Sequence, residues 1–203
     1  MIRSTLVAGV AICVSVAFLA GMQVATAQEA PKADAPKQAA AAPAKPKKKS
    51  CRDGQSEQVA AYKVTKGEHL PAAIEASLTG KPGDPEAGVN WMVHRRLGNC
   101  IACHEISAIL KKSSPDNIES MIKYAFHGKI GPSLDGVASR YSTAEIRMIV
   151  VDPKKSFPDA DTIMPSFQRV DGLHKVNKDC SGIAMLTPQQ VEDVVAFLST
   201  LKE

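Results

Sequence analysis

The chain has 203 residues, 44% hydrophobic and only 4% aromatic, with a formal net charge of +4. That is enough apolar residue for one globular core, and the length left after the unusual N-terminal stretch fits a single domain. The charge is uneven: residues 28–50 carry six Lys against Glu29 and Asp34, and Arg3 adds one, leaving −1 over residues 51–203. No basic face with interleaved aromatics is left to suggest nucleic acid.

Residues 1–27 read as a secretory signal, with Arg3 in the n-region, an apolar run from Leu6 to Ala20 and Ala25-Thr26-Ala27 as cleavage site. The run is shorter than the roughly 20 apolar residues of a spanning helix, so no membrane span is expected after cleavage. Residues 28–50 are almost entirely Ala, Pro, Lys and Gln, with nothing large and apolar to bury, and read as a disordered tether. Residues 51–83 form an N-terminal extension, with a brief strand expected near Ala61 to Val64, and residues 84–203 the main domain.

Asp84-Pro85 opens a helix whose apolar positions Val89, Met92, Val93 and Leu97 recur at helical spacing. A second helix is expected from Ser114-Pro115, burying Ile118, Met121, Ile122, Ala125 and Phe126 before Gly128 stops it. After the turn-rich stretch 130–136, Ser142 and Glu145 form a capping box for a helix that turns Ile146, Ile149 and Val150 inward and ends before Pro153. The last helix starts at Thr187-Pro188, with Gln190 closing its capping box and Val191, Val194, Val195, Phe197, Leu198 and Leu201 as its stripe. No segment keeps a period of two, so the fold is mostly α.

Cys100-Ile101-Ala102-Cys103-His104 is the stretch with chemistry. Two thiols at i and i+3 followed at once by an imidazole is the spacing for covalent attachment of a c-type haem. Two thioether bonds hold the macrocycle by one edge, and His104 then falls at the iron as proximal ligand. A thioredoxin-like dithiol would open a helix after a strand, and a structural zinc site would need a second ligand pair that the sequence does not offer. A ligating imidazole needs an acceptor for its other N–H, and the Pro132 carbonyl is the candidate.

The sixth ligand is sought among Met92, Met121, Met148, Met164 and Met185. Met92 precedes the motif on its feeding helix, and Met121 and Met148 lie within helices. Met164 stands before Pro165, which forces an extended or turn conformation, and lies 60 residues past His104, far enough for the chain to go round a haem. It is the expected distal ligand; Met185, His127 and His174 are the alternatives, the two histidines reading better as exposed loop residues. Of the remaining cysteines, Cys13 leaves with the signal, so Cys51 and Cys180 are an even remainder that an oxidising compartment would pair.

Cys100 to His104, Gly131-Pro132-Ser133-Leu134, Met164-Pro165 and a terminal amphipathic helix together resemble a class I cytochrome c. More narrowly, residues 78–84, 98–100, 130–141, 146–155 and 163–167 resemble SoxX, the monohaem subunit of the sulfur-oxidation cytochrome SoxAX. The resemblance implies a class I cytochrome c-like domain with one covalently attached haem c, bound through Cys100 and Cys103 and ligated by His104 and Met164. It implies a periplasmic heterodimer with a haem subunit SoxA, which carries the active-site haem, and a sulfur carrier SoxYZ whose cysteine receives thiosulfate oxidatively. This chain would then pass electrons to a downstream acceptor without being catalytic alone. A free-standing periplasmic electron shuttle is the alternative, and a haem enzyme or gas sensor in which Met164 does not bind is a third.

Overall fold

The computed structural model describes residues 51, 59–171 and 175–203. The signal, the tether and His174 lie outside them. Among the described residues the architecture is helical, and the only sheet-like pairing with both strands described is an isolated bridge between Thr65 and Ala73, where a strand was expected a few residues earlier.

Helix α1 (Pro85–Val93) starts as its sequence dictates: the Asp84 carboxylate accepts from the Glu86 N–H at 2.9 Å, and Pro85 sits where no N–H is needed. It ends four residues before Leu97, because His94 leaves the helical region at ψ 108°, though Leu97 is still buried from the following turn. A 3-10 turn (Cys100–Ala102) and a short α2 (Ser107–Leu110) follow; sequence periodicity had suggested only a loop after the motif. Helix α4 (Val137–Arg140) is likewise a single turn, too short to leave a periodic signal.

Helix α3 (Ile118–Tyr124) corrects the sequence reading. It begins at an Asn117 cap, not at Ser114, and none of its residues is buried. Ile118, Ile122 and Phe126 are 72%, 51% and 62% exposed, so the stripe that reads as a core face points to solvent, and Met121 is not a core residue. The physical reason is that α1, α5 and α7 fill the core between them, leaving this helix outside it.

Helix α5 (Thr143–Val151) and helix α7 (Pro188–Leu198) carry the two expected capping boxes. Between them, α6 (Pro153–Ser156) uses Pro153 as its own first residue, so the proline that stops α5 starts another turn. Helices α1 and α7 cross closely: a Cβ at Gly88 would lie 2.2 Å from the Asp193 carbonyl oxygen, so only glycine fits. The crossing is fixed by Asp193, whose Oδ2 accepts from the Trp91 indole N–H at 3.0 Å and Oδ1 from the Asp84 N–H at 2.9 Å. Arg147 of α5 meets Glu192 of α7 in a buried ion pair at 2.9 Å and also donates to the Ile74 carbonyl at 2.7 Å. The extra hydrogen bonds matter, because a buried pair offsets its desolvation only when its remaining polar atoms are satisfied.

Glu145 does more than cap. Its buried carboxylate also accepts from the His69 and Leu70 backbone N–H groups, tying the N-terminal segment to α5. Burial pushes its pKa up, but the hydrogen bonds from Ser142, His69 and Leu70 overcome this and hold it at about 2. The unfolded chain therefore takes up the proton first as pH falls from 4.5 toward 2, and the stabilisation present above 4.5 is lost across that window. The full shift corresponds to about 3 kcal/mol, of which about 2 is gone by pH 3. Urea unfolding at pH 6 and pH 3 should show that extra loss in the wild type and not in Glu145→Gln; equal losses would contradict this role.

Cys51 and Cys180 form a disulfide with Cα atoms 4.8 Å apart. The bond pins the start of the domain to the 3-10 turn (Lys178–Cys180) ahead of α7.

Candidate functional site

A cleft of about 880 Å3 opens beside the Cys-x-x-Cys-His turn, in the size range of cofactor sites. Cys100, Cys103, His104, Pro132 and Met164 all line it, together with apolar side chains that include Leu97, Ile146, Phe167 and Leu198. The structure thus brings the five expected site residues, which span 64 positions from Cys100 to Met164, to one cleft.

The turn and the loop that faces it are laced by backbone bonds: Gly128 N–H to the Ile101 carbonyl at 2.8 Å, Gly131 N–H to Cys103 at 2.9 Å and Leu134 N–H to Glu105 at 3.0 Å. This lacing brings the Pro132 carbonyl to 2.7 Å from His104 Nδ1. A carbonyl only accepts, so Nδ1 carries the proton and Nε2 is left as the lone-pair nitrogen, the form a metal ligand needs. Gly131 lies flat against the ring; a Cβ there would be 2.3 Å from His104 Cε1.

Neither Cys100 nor Cys103 is paired in a disulfide. Burial pushes the Cys100 thiol up to about 12. Among the described residues no cluster of three or more His, Cys, Asp or Glu side chains could hold a metal ion. An apolar cleft with two cysteine sulfurs at one edge and a tautomer-fixed imidazole beside them fits a macrocycle attached by thioethers. Arg95, Arg96 and Arg140 at the same cleft supply positive charge suited to that group's carboxylates.

Of the other methionines, Met92 and Met185 also line the cleft, whereas Met121 and Met148 do not. His127 is not the exposed loop residue expected from sequence: it is half-buried, and its Nδ1 accepts from the Ile106 N–H at 3.1 Å. Burial lowers its pKa, which keeps it in the neutral form that bond needs. Its role is thus to satisfy the backbone just after the motif, and no sequence pattern marks such a bond.

These features define a c-type cytochrome, a protein whose haem is fixed to the chain through its own cysteines. The cytochrome c family model matches residues 96–202, more than half of the chain, and the chain belongs to that family. It is a SoxX-like cytochrome: a chain of the crystal structure of SoxXA from P. pantotrophus is 44% identical, with a TM-score of 0.52, and the match covers 64% of this chain and 90% of that one. Ferric cytochrome c-550 from Paracoccus versutus is a looser likeness, at 21% identity and TM-score 0.31 over 60% of this chain and 99% of that one. The comparison with curated proteins finds no match. Electron transfer by covalently attached haem c is the function that membership carries.

Proposed function

We propose that this chain is the monohaem electron-transfer subunit of a SoxAX-type complex that oxidatively attaches thiosulfate to a carrier-protein cysteine. Cys100 and Cys103 form the thioethers, His104 and Met164 ligate the iron, and Pro132 orients His104. The bound group supplies a one-electron couple. The chain's own residues hold it by one edge, fix the proximal tautomer and keep water from its faces.

The observation that carries this reading is that His104 and Met164 line one cleft with Cys100 and Cys103, so the residues that would hold a haem c and ligate its iron are gathered in one place, where the group would supply electron transfer. The sulfur chemistry then belongs to the partner. There a carrier thiol loses its proton, one S–S bond forms to thiosulfate, and two electrons leave; this subunit removes them one at a time for a downstream acceptor. The likeness to SoxXA supports a SoxA-like partner in a heterodimer; a SoxYZ-like carrier, and a place in the periplasm after removal of residues 1–27, belong to the same reading and rest on the sequence.

A free-standing shuttle is the second reading. Against it stand Ile118, Ile122 and Phe126, which do not line the cleft and are 72%, 51% and 62% exposed, an apolar face suited to a lasting partner rather than a charged docking ring. The test is to purify the full chain from its native host and ask what accompanies it, and whether thiosulfate with the sulfur carrier reduces its haem. Co-purification with a second haem protein and thiosulfate-dependent reduction are expected. A monomer unresponsive to thiosulfate would establish the shuttle instead.

A further inference from the structure

We infer that Asp152 and Gln168, neither of which lines the cleft, are positioning residues that mount the Met164 segment on the helical core. This rests on Met164 as distal ligand. Met164 lies on the stretch between α6 and the 3-10 turn at Lys178, whose described residues form no helix or strand. A side chain on such a stretch stays in place only if its neighbours are tied to something rigid.

The ties lie just after it. Ser166 Oγ donates to Asp152 Oδ1 at 2.8 Å, and the Arg169 guanidinium, hydrogen-bonded to Asp171, stands 3.5 Å from Oδ2, so the buried carboxylate at the end of α5 holds Ser166 directly and faces a positive charge at Arg169. Within that span Gln168 is fully buried. Its Oε1 accepts from the Ala60 N–H at 2.9 Å and its Nε2 donates to the Leu186 carbonyl at 2.6 Å. Backbone bonds from Phe167 to Val150 and from Gln168 to Val151, at 3.2 and 3.3 Å, complete the seam along α5. On the other side the bonds among described residues are local: Met164 N–H to Thr162 Oγ1 at 3.3 Å, Thr162 N–H to the Ala160 carbonyl at 2.8 Å and Ala160 N–H to the Phe157 carbonyl at 3.2 Å. The hold is therefore one-sided, and it runs through two polar side chains that would be costly to bury without this use.

The experiment uses the full haem-loaded protein and imidazole as probe. Imidazole reaches ferric iron only when the distal thioether moves away, so its binding rate reads how firmly Met164 is held. Gln168→Leu and Asp152→Ala should each bind imidazole at least ten-fold faster than wild type, whereas Asp152→Asn, which keeps an acceptor for Ser166, should stay within three-fold. Ile109→Ala, a buried change in α2 away from the cleft, controls for lost stability and should leave the rate unchanged. Should the larger changes prevent folding, Ser166→Ala is the milder variant and must raise the rate several-fold. Wild-type rates in Gln168→Leu and Asp152→Ala, or in Ser166→Ala alone, would overturn the mount while leaving Met164 as ligand. A wild-type rate equal to that of Met164→Ala would remove the ligand reading, and the mount with it.

Discussion

Met164→Ala should lower the reduction potential by about 0.2 V, a quarter of the roughly 0.8 V that axial ligation spans across haem proteins. A thioether opposite an imidazole favours the reduced iron, and losing it leaves water or nothing in its place. The same variant should bind carbon monoxide readily when reduced, where the wild type should not. Potentiometric titration and a carbon monoxide difference spectrum check both halves. An unchanged potential would transfer the ligand role to Met185, which lines the same cleft, or support the sensor reading. Met185→Leu, expected to be nearly neutral, separates those two outcomes.

Removing the disulfide should have the largest effect on stability. Cys51 and Cys180 are separated by 129 residues, and the chain-entropy model puts the loss on opening so long a loop at about 5 kcal/mol, within the roughly 2–5 kcal/mol found for native disulfides. In a domain of this size each kcal/mol moves Tm by about 2–4 °C, so Cys51→Ser with Cys180→Ser should melt roughly 10–20 °C lower. Neither cysteine lines the cleft, so the visible spectrum at 25 °C should not change. A Tm within about 2 °C of wild type would mean that the bond constrains little in the unfolded chain.

The two stability effects have different signatures. The disulfide acts at every pH, because it works on the unfolded chain. Glu145 acts only above its native pKa of about 2, so its contribution fades as the pH falls through the window below 4.5. Comparing the double Cys variant with Glu145→Gln at pH 6 and pH 3 tells them apart.

Helix starts were the most legible part of the fold. Asp84-Pro85, Ser142 with Glu145, and Thr187 with Gln190 each work through bonds spanning two or three residues, and all three helices begin there. The stripe on α3 misled because periodicity reports only that a helix has an apolar side, not whether the rest of the chain has room to cover it. Glu192 and Asp193 drew no expectation from the sequence, yet both are buried, since Arg147, Trp91 and the backbone at Leu78 and Asp84 reach them from elsewhere in the chain.

By itself the sequence determined what depends on neighbours along the chain: the Cys-x-x-Cys-His motif, the capping boxes and the helical class. Only the tertiary structure decided what depends on residues far apart: the 2.7 Å bond from His104 to the Pro132 carbonyl, the single cleft shared by His104 and Met164, and the seam that Asp152 and Gln168 make beneath the Met164 segment. The physical reason is that spacing fixes local geometry through a few backbone torsions. Contacts over tens of residues depend instead on how every helix competes for the same core, and no short pattern records that outcome.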